Sequence, residues 1–81
     1  MNDEEARLIA LVKLEDMEAC FELYRLFERR NYTGIDLVKE ICHLHDSIKI
    51  KSVKSTKIKE ILSIMLSRAN LREIYQTDLS T

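Results

Sequence analysis

Cys42, His43, His45 and Asp46 gather the thiol, imidazole and carboxylate groups of this chain within five consecutive positions. On a helix Cys42, His45 and Asp46 share a face at i, i+3 and i+4. Three such groups could hold zinc if a fourth ligand arrived from elsewhere, with Cys20 as the available thiol. The spacing matches no zinc-finger pattern, and a single segment rarely builds a structural zinc site. Cys42 also continues an apolar stripe, and His45 and Asp46 suit a solvated helix end. Packing and solvation are therefore the reading, with no metal and no cofactor. Cys42 and His43 do not make a thiolate–imidazole pair either, because helix neighbours point about 100° apart. The chain has no glycine-rich phosphate loop, no nucleophile elbow and no paired-histidine metal helix. Nothing converges on a catalytic site, and no enzymatic activity or small-molecule substrate is expected.

A second kind of chemistry lies downstream. Lys49, Lys51, Lys54, Lys57 and Lys59 form a dense cationic stretch that could hold phosphates through counterion release. No aromatic residue is interleaved with them, so stacking on single strands is not expected. Ser55-Thr56-Lys57-Ile58-Lys59 could open a recognition helix, which makes a small DNA-binding or regulatory protein the alternative function. A solvated lysine face is the default. Residues 1–46 carry 11 acids and 6 bases, and residues 47–81 carry 3 acids and 7 bases, within an overall net charge of −1. That asymmetry could seat a charged partner or let copies associate head to tail.

The elements that carry these groups are helical. The chain has 81 residues, no proline and one glycine, with 46% apolar and 33% charged residues. Such a sequence offers little material for β-turns and reads as an all-α single bundle of four to five helices. Asn2 or Asp3 caps a first helix whose apolar side is Ala6, Leu8, Ile9, Leu11 and Val12. After a break at Leu14-Glu15-Asp16, a second helix runs from about Asp16 to Arg30. Met17, Cys20, Phe21, Tyr24 and Phe27 form one stripe on it, and Ala19, Leu23 and Leu26 another. This wide face suits contact from two sides, which makes Leu23 and Phe27 candidates for meeting a partner. Asn31-Tyr32-Thr33-Gly34 is the hinge, with Asn31 as a left-handed cap and Thr33 as N-cap of a third helix over about 34–48. Leu37, Ile41, Leu44 and Ile48 mark its buried side, with Val38 and Cys42 beside them.

A fourth helix starts at Val53 or Thr56. It buries Ile58, Ile61, Leu62, Met65 and Ala69, and either ends at Asn70 or continues to Tyr75. The bundle domain is placed at 1–75 and a flexible tail at 76–81. Tyr32 at the hinge and Tyr75 near the end are further candidates for a protein interface. Two cysteines without a disulfide framework point to a reducing intracellular compartment, cytoplasm or nucleus. No apolar run approaches the ~18–20 residues of a membrane span, and Asp3, Glu4 and Glu5 oppose a signal peptide.

The order of these features resembles a known family. A helix with Ala19, Phe21, Leu23 and Leu26 leads into Tyr32-Thr33-Gly34-Ile35-Asp36-Leu37-Val38-Lys39-Glu40-Ile41. A polar stretch follows, then a helix led by Lys57-Ile58-Lys59-Glu60-Ile61. Over about residues 8–72 this is similar to the C-terminal collar domain of clamp-loader (replication factor C) small subunits. The AAA+ module of that family is absent, with its Walker motif and arginine finger, and the final segment from Asn70 is short. The resemblance implies a non-catalytic assembly module whose helices pack against neighbouring subunits, in the setting of DNA replication. A small core supports the same expectation independently, because a thin core is often completed by another chain or a second copy.

Overall fold

The computed structural model describes residues 2–80, with side chains from Asn2 to Arg72. Four helices follow one another: α1 (Asp3–Lys13), α2 (Met17–Arg29), α3 (Ile35–Ser47) and α4 (Val53–Ser80). No strand occurs among the described residues, and the all-α bundle read from the sequence is the architecture found.

Helices α1, α2 and α4 start where short polar side chains satisfy amides that have no partner within the helix. Asn2 Oδ1 accepts the Glu5 amide at 2.9 Å, and Asp16 Oδ1 accepts the Ala19 amide at 3.0 Å. The start of α4 is a serine box. Ser52 Oγ accepts the Ser55 amide at 3.1 Å, and the fully buried Ser55 Oγ accepts the amides of Lys51 and Ser52, both at 2.9 Å. The hydroxyl of Thr56 donates to the Ser52 carbonyl at 2.9 Å.

The third helix departs from expectation. Its N-cap is Gly34, at φ 110°, and no side chain caps it. Thr33 instead donates its hydroxyl back to the Arg30 carbonyl at 2.7 Å, closing the end of α2. Asn31 and Tyr32 both take left-handed backbone, at φ 60° and 58°. Two consecutive residues of that hand turn the chain so sharply that Thr33 still faces α2. Only glycine then tolerates the next step comfortably.

The core is one cluster. Leu8 and Val12 of α1, Leu23 and Phe27 of α2, Leu37, Ile41 and Leu44 of α3, and Ile58, Leu62 and Met65 of α4 are all but fully enclosed. Three expected core positions lie elsewhere. Ala6 is exposed, Cys42 is exposed, and Phe21 stands 43% open. Phe21 shares its stripe of α2 with Met17, Cys20, Tyr24 and Phe27, of which the neighbouring helices enclose only Cys20 and Phe27, whereas Ala19, Leu23 and Leu26 of the other stripe are all buried. Cys42 is one residue, about 100°, round α3 from the buried Ile41.

Helix α4 extends to Ser80, beyond both ends that the sequence offers for it, Asn70 and Tyr75. At 28 residues it is about 42 Å long, close to the 44 Å long axis of the molecule. The other helices, of 11–13 residues, are less than half that length.

Candidate interaction surface

The expected site residues separate into three groups. Leu23 and Phe27 lie in the core with no exposure, so in this fold they hold the bundle together and present nothing to a partner. Tyr32 is half-buried and forms an internal clasp. Its ring meets Phe27 edge-on at 5.6 Å and Tyr24 edge-on at 6.4 Å between centroids. The guanidinium of Arg68 stands 5.4 Å from the ring centre, and its Nη1 donates to the Tyr32 hydroxyl at 3.1 Å. The hydroxyl itself faces Glu28 Oε2 at 3.3 Å and the Tyr24 hydroxyl at 3.5 Å. The Tyr24 contact raises the Tyr32 hydroxyl above its ordinary value, and Arg68 opposes the shift. The clasp therefore joins α2, the hinge and α4. The side chain of Tyr75 lies outside the described residues, as does Thr81.

The lysines are not equivalent. Lys49, Lys54 and Lys57 are exposed and, among the described residues, carry no salt bridge. Lys51 reaches Glu15 Oε2 at 3.7 Å, across from the α1–α2 turn. Lys59 is half-buried, and its ammonium donates to the Ile48 carbonyl at 3.0 Å, tying α4 to the end of α3. Two of the five candidate phosphate ligands are thus already engaged.

The Cys42–Asp46 group does not assemble. Cys20 sits in the core, and burial pushes its thiol up to about 11. Among the described residues no three His, Cys, Asp or Glu side chains are placed to hold a metal ion. His45 instead bridges helices. Its Nε2 lies 2.9 Å from Ser63 Oγ on α4, and its Nδ1 lies 3.4 Å from Asp46 Oδ1. The hydrogen bond between His45 and Ser63 ties the end of α3 to α4. The arrangement has the residue types of a hydrolase triad. His45 and Asp46 lie in the last turn of α3, and Ser63 lies on α4.

Sequence reasoning missed two features. The first is Glu5, 2% exposed in its side chain and ion-paired to Arg30 at the end of α2. Its spacing was the available signal, because Glu5, Leu8, Ile9 and Val12 form one helical stripe. The second is the apolar surface of α4. Val53, Ile64 and Leu71 are 74%, 46% and 66% exposed. Spacings of eleven and seven residues place them on one line of the helix, opposite the buried Ile58, Leu62 and Met65. Lys57 and Glu60 lie close to that line. Ile64 also forms one wall of an open groove of about 520 Å³ between α3 and α4, which Ile50, His45, Ser63, Thr56 and Lys59 share.

Comparison with protein-family models, curated proteins and solved structures finds no match to the chain. Among the described residues, no helix is long and apolar enough to cross a membrane.

Proposed function

We propose that this chain is a non-catalytic helical interaction or oligomerisation module, of the collar type that its sequence resembles in clamp-loader small subunits, with DNA replication as its setting. The observation that carries the reading is the line of Val53, Ile64 and Leu71 along the outer face of α4. A single helix presents a core face inward and an apolar line outward. That outer line supports a contact with another chain, since scattered exposed apolar residues would not share one face. The exposed Phe21 on α2 adds apolar surface away from the core. Free Cys20 and Cys42 fit a reducing intracellular compartment.

The lysine segment supports nucleic-acid binding less well. Lys51 and Lys59 are held within the molecule, and the apolar Ile50 and Val53 are interspersed with the lysines.

Sedimentation velocity tests the reading, on the chain alone and mixed with clamp-loader small subunits. A concentration-dependent complex is expected in one of the two settings. Leu71→Glu should weaken it, while Lys39→Glu on α3 should leave it intact. Leu71 is exposed, so the change does not touch the core. A monomer in both settings at high concentration, or a complex indifferent to Leu71→Glu, overturns the reading.

A further inference from the structure

The outward side of α4 carries, over its first three turns, a line that is symmetric in spacing. Val53, Lys57, Glu60 and Ile64 are all exposed and follow one another at intervals of four, three and four residues. At 100° per residue they fall within about 60° of helix surface, opposite the buried Ile58, Leu62 and Met65. An apolar residue stands at each end, and one charge of each sign stands between them. Among the described residues neither Lys57 nor Glu60 has a salt bridge. Reversed end to end, the line keeps its spacing and exchanges its two charges.

We infer that this line pairs antiparallel with the same line of a second copy, about a two-fold axis that passes between Lys57 and Glu60. The inference rests on the module reading above and names the partner as the chain itself. A two-fold contact must be self-complementary: where one residue meets another, the second meets the first in the other copy. The line satisfies that condition. With the axis midway between positions 57 and 60, Lys57 of each copy faces Glu60 of the other, and Val53 of each faces Ile64 of the other. Alternating steps of four and three are also the spacing at which two helices interlock their side chains. A parallel copy would set Lys57 on Lys57 and Glu60 on Glu60, so charge selects the antiparallel arrangement. A uniformly acidic or basic partner would satisfy one of the two charges and oppose the other. Ile50, 64% exposed, lines the same groove as Ile64 and extends the apolar ground that Val53 of the other copy would cover. Leu71, seven residues beyond Ile64, falls at either edge of the contact. The paired stretch is about 17 Å long, which puts the contact at the small end of specific interfaces and the association in the reversible range.

Sedimentation velocity on the full chain, up to about 1 mM, tests this with charge variants. Lys57→Glu sets acid against acid across the axis, and Glu60→Lys sets base against base. Each change acts twice per dimer and should weaken association about tenfold. An equimolar mixture of the two variants should recover the wild-type association, because a copy with two acids then faces a copy with two bases. Mixing leaves the contacts within each chain as they were, so recovery separates a contact between copies from an effect on the helix itself. Raised salt should narrow the gap between each variant and the wild type. Ile64→Ser should weaken association about tenfold or more, since the lost apolar contact also occurs twice. All three side chains are exposed, so circular dichroism should show the variants as helical as the wild type. A wild type that stays monomeric over this range, single variants that associate as the wild type does, or a mixture no better than its components overturns the inference. If any of these occurs while the Leu71-dependent complex still forms, this inference falls and the module reading stands. If no complex forms in any setting, both fall.

Discussion

Arg30 is 42% exposed, whereas the carboxylate that it pairs with, Glu5, is 2% exposed. The asymmetry decides how the pair responds to mutation. Removing Arg30 strands a charge that water cannot reach, and a fully enclosed pair broken in this way costs ~3–5 kcal/mol. Solvent around Arg30 screens part of that, so Arg30→Ala should cost about 2 kcal/mol in urea unfolding. Glu5→Leu combined with Arg30→Met should recover most of the loss, since the pair is replaced by packing.

The cysteines separate just as cleanly. Cys42 is exposed and should react with a thiol reagent at pH 8, while Cys20 should react only on unfolding. Burial raises the Cys20 thiol from 9.0 to about 11, so the folded chain keeps a proton that the unfolded chain releases. Its contribution to stability is complete below pH 9 and is lost as pH rises through 11. Melting temperatures across that window should fall more steeply for the wild type than for Cys20→Ala.

At the scale of the element, the helix starts divide by what holds them. Asp16→Ala removes a side chain that caps α2 and should cost ~0.5–2 kcal/mol in thermal melts. Gly34→Ala puts a side chain on backbone at φ 110°, where the nearest atom to a new Cβ is Arg30 Nη1 at 4.0 Å. There is room, so the cost is conformational, about 1–2 kcal/mol by analogy with left-handed backbone. Thr33→Ala should stay within about 0.5 kcal/mol, because Thr33 does not cap α3. Equal losses at Thr33 and Gly34 would contradict this account of the turn.

The same elements mark how far the sequence could be read. The cap at Asn2 or Asp3, the start of α2 near Asp16, the turn around residues 31–34 and most of the buried stripes were legible, because periodicity and capping are local properties. Gly34 as cap was not, because it depends on two left-handed residues before it, which no propensity favours in a tyrosine. Phe21 and Cys42 were misplaced because a stripe names a face without saying how much of it a neighbour covers. The His45–Ser63 bridge and the groove join α3 to α4 across eighteen residues, and no local pattern encodes that.

For the whole molecule, charge is divided between acidic and basic halves, but the fold partly closes the division. Lys51 lies against Glu15 from the acidic half. Reversing Lys51 would therefore place two acids together and disturb the fold's own contact. Lys49→Glu, Lys54→Glu and Lys57→Glu make the cleaner probe of nucleic-acid binding. With net charge −1 and three unengaged lysines in the segment, the wild type should bind duplex DNA no better than generic non-specific affinities, ~10⁻⁴–10⁻⁶ M. Gel-shift titrations at low and physiological salt check this, and a submicromolar, salt-resistant complex would restore the DNA-binding alternative.

The clasp of Arg68 on Tyr32 also has a consequence in time. It links residues 36 apart in sequence, whereas the α1–α2 turn and the α2–α3 hinge close over a few residues each. Short closures form early and long ones wait for the chain between them to order. Arg68 should therefore reach its place on the native side of the folding barrier. Arg68→Ala is expected to speed unfolding and leave the folding rate nearly unchanged in stopped-flow chevrons. The chain contains no proline, so its refolding should lack the slow phase of prolyl isomerisation. The tyrosine at the hinge would then act as a latch that sets how long the folded state lasts, with little say in how fast it is reached.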